Sequence, residues 1–412
     1  MRSAILLMLI LVPTARAQVT HYTVRLTPDL DHHLLLGEET IEFHHDAGDI
    51  EWQKQSGLQI TDTKLTDGEL SLADQALSIR LPRGGKHVVR FEYSAAPSRG
   101  ITWFTKESGF DTAFNCAAWM VCDTSPAQRA TLTLEIILPP VSGLSAVGPG
   151  RLKKEWRNKE GAHFLFEQSA PVQTYLFSFG VTKLSRSIDG QFVLYSADSD
   201  EHKLAFTKTA DAYQFLHSKA GVDLADCQYT QAFMPEPIGQ EAGGLVLLPP
   251  NYLSNLEQKD DVLEMAHELA HQWWGVLVGI RSWSDFWLNE GMADFMSDAY
   301  VEHHQGRAAY DQQITNAKKR MDTLREQGKD RPLHWEGWKD SHEALGQIPY
   351  VKGALFLDRL RTELGEENFW RGIALYTSRN AHNLVDSQDF EKAMETASGR
   401  DLKQLFDEAV YH

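Results

Sequence analysis

Two histidines four residues apart, with a glutamate beside the first, constrain this chain more than anything else in it: HELAHQWWG, residues 267–275. On an α-helix His267 and His271 stand one turn apart, so both imidazoles leave the same face and can close on one ion. Glu268 hangs beside the coordination position that such a pair leaves open, where a carboxylate can take a proton from an activated water. The five-residue pattern alone arises by chance on the order of once per hundred chains of this length. A second signal is therefore needed, and WSDFWLNEGMADF supplies it. Glu290 follows His271 after eighteen intervening residues and is placed near the start of a second helix. There it completes a two-histidine, one-glutamate set with a fourth position left for water, a donor set that zinc favours. The plainer reading of Glu290 is a solvated acid at a helix start, favoured by the helix dipole. Asp294, one turn further on, either accepts the second ring N–H of a ligand histidine or is an exposed helix carboxylate. Trp273 and Trp274 read as packing, and His303 and His304 have the wrong register to join the set.

The remainder of the chain bounds what surrounds this constellation. Its 412 residues, 42% of them hydrophobic, can bury substantial cores in two or three domains. The opening MRSAILLMLILVPTARA has Arg2, an apolar run from Ala4 to Val12, Pro13, and small residues at Ala15 and Ala17. It reads as a signal peptide over 1–17 that is removed after Ala17, so the protein is expected to be exported, periplasmic or secreted. An uncleaved anchor is the other reading, but the apolar run is too short to span a bilayer. Losing Arg2 and Arg16 takes the formal charge from −17 to about −19, which disfavours nucleic acid and anionic membrane surfaces as partners. Cys116, Cys122 and Cys227 are odd in number, so at least one thiol has no partner within the chain. An oxidising compartment permits a Cys116–Cys122 bridge without requiring it.

Periodicity divides the chain. From Gln18 to Ile188, short alternating segments such as HYTVRLTPDL, EETIEFHH and ATLTLEIILPP are separated by turn clusters such as PRGG and GPG, which predicts an antiparallel β-domain over 18–188. SIDGQF marks the junction, and helical spacing dominates from 189 to 412. DDVLEMAHELAHQWW carries the paired histidines, with Asp261 as the expected N-cap and Glu264 three residues later. The expected class is therefore α+β and multidomain.

With these motifs in place, the chain resembles the zinc aminopeptidase family (gluzincins) typified by alanyl aminopeptidase and aminopeptidase N, to which leukotriene A hydrolase also belongs. HELAHQWWG with WLNEG at this spacing carries the resemblance, and VRLTPDL, TYLFSFGV and IPYVKGAL extend it over essentially the whole mature chain. It implies a thermolysin-like, mainly helical catalytic domain after the β-domain, holding one zinc ion on His267, His271 and Glu290 with Glu268 as general base. It further implies that Tyr350 donates its phenolic O–H to the oxyanion, where the residue alone would read as a buried aromatic. Aligning GQEAGGL with the family's Gly-x-Met-Glu-Asn segment puts Glu241 on the glutamate that binds the substrate's free α-ammonium, with Gly239 and Gln240 beside it as substrate-binding positions. Without the resemblance Glu241 is an ordinary loop acid. The chain departs from the pattern at Gln240 and Ala242, at CDTSP (122–126) and at Val276. Larger members continue into a helical domain that roofs the site, whereas this sequence stops at His412. A more open cleft, or one covered by a second subunit in a homo-oligomer, is the expectation.

The resulting expectation is a zinc-dependent aminopeptidase acting on peptides. Two alternatives stand beside it: an endopeptidase or oligopeptidase on the same zinc site with an open cleft, and a zinc-fold binding protein without turnover.

Overall fold

The computed structural model describes residues 17–412 except 97–98, 107, 141, 199, 201, 225–227, 237, 341–342, 344 and 347. Residues 1–16 of the expected signal peptide, and Cys227, lie outside the described residues.

Alternating sequence becomes alternating burial in the first half. Along the strand Gln18–Asp29 the side chains of Tyr22, Val24 and Leu26 are buried while those of Thr23 and Thr27 face out, the period-2 pattern of a sheet with one wet face. This strand lies in the middle of a seven-stranded sheet, beside Leu34–His45 on one side and Arg129–Leu138 on the other. The large sheet is antiparallel, as expected, except at one pair. Val24 of the first strand pairs with Leu134 in parallel register, because the chain returns to the sheet through a long crossover and not through a hairpin. A four-stranded sheet (Ser145–Val147, Gly180–Thr182, Phe110–Thr112, Ile101–Trp103) presses against the second half of the chain. A Cβ on Gly180 would lie 2.4 Å from Met234 Cε, so the methionine end packs directly against this backbone. Cys116 and Cys122 form a disulfide across the turn at the end of this region.

The expected boundary at 188/189 falls inside a β-hairpin. Ser185–Asp189 pairs with Phe192–Ser196, and both belong to a five-stranded sheet continued by Tyr229–Phe233, Leu245–Leu248 and Gln240–Ala242. The Asp189–Gly190 turn that suggested a junction thus joins two strands of one sheet. The three inner strands run parallel and are buried at every position, as sheets covered on both faces are. Helices follow: α1 (Lys203–Ala220), α2 (Pro250–Gln258), α3 (Leu263–Ala270), α4 (Trp287–Gln305) and α5 (Arg307–Glu326). After a single π-type turn over Ile348–Lys352 come α6 (Gly353–Leu364), α7 (Glu366–Asn380), α8 (Ser387–Ser398) and α9 (Lys403–Ala409). Trp273, Trp274 and Trp287 are buried beneath the site, and each indole N–H is satisfied, by Val222 O, Thr377 Oγ1 and Ser387 Oγ respectively. Among the described residues no helix is long and apolar enough to cross a membrane.

Candidate metal centre and active site

Helix α3 is short. Asp261 accepts the Leu263 N–H at 3.3 Å just ahead of it, but Val262 occupies the cap position itself. His271 closes the helix, still in helical conformation, so it keeps the one-turn relation to His267. The chain then turns sharply at Gly275, whose φ of +138° disfavours any side chain. A Cβ there would also sit 3.3 Å from His271 Nδ1. Glu290 lies in the first turn of α4, and α3 packs along α4.

Together the two helices bring three ligand atoms to one point. His267 Nε2 and His271 Nε2 are 3.1 Å apart, and Glu290 Oε2 is 3.6 Å from the first and 3.3 Å from the second. The opposite nitrogens are engaged elsewhere: His267 Nδ1 lies 2.8 Å from Asp294 Oδ1, and His271 Nδ1 lies 3.2 Å from the Trp274 carbonyl oxygen. A carbonyl can only accept, so His271 carries its proton on Nδ1, and the Asp294 carboxylate fixes the same tautomer on His267. Once the imidazoles are neutral, both Nε2 lone pairs and a carboxylate oxygen converge on one point, an arrangement that suits a cation. Ligands about 2.0–2.1 Å from a tetrahedral ion are about 3.3–3.4 Å apart, and the observed triangle matches that edge. The two-histidine, one-carboxylate donor set fits zinc.

The charges agree with the geometry. Burial opposes protonation of both imidazoles, yet Asp294 and Glu290 hold His267 well above the ordinary histidine value, and Glu290 holds His271 at about 9. Burial also works against an ionised Glu290, but the two imidazoles pull it down to about 2. Positive charge is thus favoured at this point, whether a proton or a metal supplies it.

Around the triangle lie the other predicted residues. Glu268, Glu241 and His271 offer ligand atoms within 4.8 Å of one another. Glu268 Oε2 and Glu241 Oε1 are buried and take no hydrogen bond among the described residues. Burial, opposed by both imidazoles at Glu268 and by His271 at Glu241, lifts Glu268 to about 7 and Glu241 to about 8. Gly239 faces the base, since a Cβ there would be 3.8 Å from Glu268 Oε1. Tyr350 stacks its ring parallel to that of His267 at 6.1 Å, and burial followed by the surrounding acids keeps its phenol protonated. Helix α4 and the Tyr350 turn meet through two glycines: a Cβ on Gly291 would lie 2.7 Å from Gly353 Cα and 2.8 Å from Pro349 O. That contact draws Tyr350 towards the metal-binding triangle. Gln240 is the exception among the expected substrate contacts. It is fully buried and its amide is consumed by protein partners, so its side chain is not presented to a substrate.

Sequence reasoning missed two supports that sit inside the quoted motifs. Asn289, immediately before Glu290, donates to Tyr175 Oη at 2.7 Å and so ties the start of α4 to the β-domain. Gln272, immediately after His271, accepts the Gly244 N–H at 2.9 Å and donates to Ala242 O at 3.0 Å, coupling α3 to the strand that carries Glu241. Tyr175 and Trp283 help line a cavity of about 590 Å³ between the two halves, together with Lys54, Gln55, Arg99 and Phe114.

Residues 241–408 match the Peptidase family M1 domain. The sequence is 26% identical over 344 residues to a leucine aminopeptidase 2 of Yarrowia lipolytica, covering 76% of this chain and 52% of that one. It is 24% identical over 393 residues to an aminopeptidase N of Lactococcus lactis, covering 84% and 45%. The chain thus spans about half the length of the curated relatives it matches. Among solved structures, an M1 zinc metallopeptidase from Deinococcus radiodurans superposes with a TM-score of 0.81 at 20% identity, over 96% of this chain and 95% of that one. This likeness is one of fold.

Proposed function

We propose that this chain is a member of peptidase family M1 and, from that premise, a zinc-dependent aminopeptidase, releasing the N-terminal residue of peptides. The observation that carries this reading is the convergence of His267 Nε2, His271 Nε2 and Glu290 Oε2 beside two buried carboxylates, each with a free oxygen. His267, His271 and Glu290 would hold zinc, which when bound supplies Lewis-acid polarisation and brings the pKa of a coordinated water towards about 7.

The chain's own groups account for the remaining steps. Glu268 accepts the proton of the attacking water on its free Oε2 and returns it to the leaving amine. Tyr350, kept protonated by its surroundings, donates to the oxygen on which negative charge develops. Glu241 receives the substrate's α-ammonium on Oε1. Its place within 4.8 Å of the base, set by the ligand-atom cluster with Glu268 and His271, selects the peptide bond next to a free amine. Asp294 orients His267. The apolar opening segment of the sequence supports export to the periplasm or the medium.

A single comparison tests the assignment: hydrolysis of an aminoacyl amide against its N-acetylated form, with and without a chelator. Zinc-dependent turnover confined to the free amine is expected. Equal turnover of the blocked substrate would replace the aminopeptidase reading with an endopeptidase on the same site.

A further inference from the structure

Position 240 carries glutamine in this chain, and its side chain makes an unusual set of contacts. Gln240 Oε1 accepts the Phe114 backbone N–H at 2.6 Å, a bond from the β-domain to the strand that carries Glu241. Gln240 Nε2 donates to the Glu241 carbonyl oxygen and, at 3.3 Å, to Glu241 Oε2. Gln240 and Glu241 are both buried. The other carboxylate oxygen, Glu241 Oε1, takes no hydrogen bond among the described residues. Phe114 itself is held at φ +49°, in the left-handed region that bulky residues avoid. Such a conformation persists only where neighbouring contacts fix it.

We propose that Gln240 is a positioning residue, a latch between the two halves that turns the Glu241 carboxylate so that Oε1 alone meets the substrate's ammonium. The proposal rests on the amine-anchoring reading of Glu241. Its physical content is division of labour between two oxygens. One is occupied by an amide donor whose far end is fastened to the β-domain; the other is left with an unfilled acceptor site aimed by that bond. A thioether or an aliphatic side chain at 240 can fill the volume but can neither accept from Phe114 nor donate to Glu241. The carboxylate would then be free to rotate, and the ammonium would be bound at the cost of fixing it.

The test is steady-state kinetics of wild type and Gln240→Met on an aminoacyl anilide, with its des-amino counterpart as competitive inhibitor and thermal unfolding of both proteins measured alongside. The expected result is at least a fivefold rise in KM for the aminoacyl substrate, a change of less than twofold in kcat, and no change in Ki for the des-amino compound. Gln240→Asn keeps the amide but is one methylene too short to reach both partners. It should show the same split, and it serves if the methionine variant does not fold. An unchanged KM in a folded variant overturns the latch. So does a weakening shared equally by KM and Ki, the mark of a merely structural residue. If wild type hydrolyses the des-amino compound as readily as the aminoacyl anilide, the amine-anchoring reading fails first, and the comparison distinguishes that outcome from failure of the latch.

Discussion

Asp294 Oδ1 lies 2.8 Å from His267 Nδ1, one helical turn beyond Glu290 on α4. A single helix thus supplies a ligand atom to the metal-binding triangle and also the carboxylate that fixes the tautomer of a ligand on the neighbouring helix. The spacing of Glu290 and Asp294 at i and i+4 makes this possible, because both side chains leave the same face. Ligand orientation and ligand supply are therefore built from one rigid element, which holds a site more closely than loops do.

Replacing Asp294 by alanine should leave all three ligands in place while releasing the His267 ring. Loss of such outer partners typically lowers metal affinity about 10–100-fold. Competition against a chromophoric chelator measures this directly, and zinc affinity equal to wild type would remove the role assigned to Asp294.

Glu268→Gln keeps the shape of the base and takes away its proton-accepting oxygen. Turnover should fall by about 10²–10⁴-fold or more, with zinc content unchanged at one per chain. The pairing of these two measurements matters, since metal loss would abolish activity for a different reason. Full activity in the zinc-loaded variant would contradict the assignment of the base.

Tyr350→Phe deletes one hydroxyl and retains the ring that stacks on His267. A hydrogen bond made only as the oxyanion develops should lower kcat by about 10²–10³-fold with little change in KM. A rise in KM at constant kcat would instead mark Tyr350 as a residue that binds the ground state.

The sequence made the metal triangle legible because it is local. His267 and His271 are related by one helical turn and Glu290 by the start of the next long helix, so chain spacing and side-chain type together define the site. Glu241 and Tyr350 were reached only through family resemblance; their positions depend on a sheet edge and on the Gly291–Gly353 contact, neither of which leaves a periodic trace. The bonds from Asn289 to Tyr175 and from Gln240 to Phe114 join residues more than a hundred positions apart. No local pattern announces such pairs. The parallel pairing of the first strand with Arg129–Leu138 escaped for the same reason: alternation reveals which face is buried but not the direction of the neighbour.

Outside the site, Asp111 offers a test of the fold through pH. It is buried in the small sheet Ile101–Trp103/Phe110–Thr112/Gly180–Thr182 and burial raises its carboxyl to about 7. Below an unfolded-state value of about 3.9 both states hold the proton, and the buried acid costs nothing through ionisation. Between there and about 7 the unfolded chain has released its proton while the folded chain keeps it. Stability contributed by this group is therefore lost as pH rises through that window, up to about 4 kcal/mol once the folded carboxyl also ionises. Asp111→Asn is neutral at every pH and should flatten this part of the profile, so that its Tm relative to wild type rises from pH 4 to pH 8. Parallel Tm profiles for the two proteins over that range would show that Asp111 is already ionised in the folded state and that its burial is relieved by solvent.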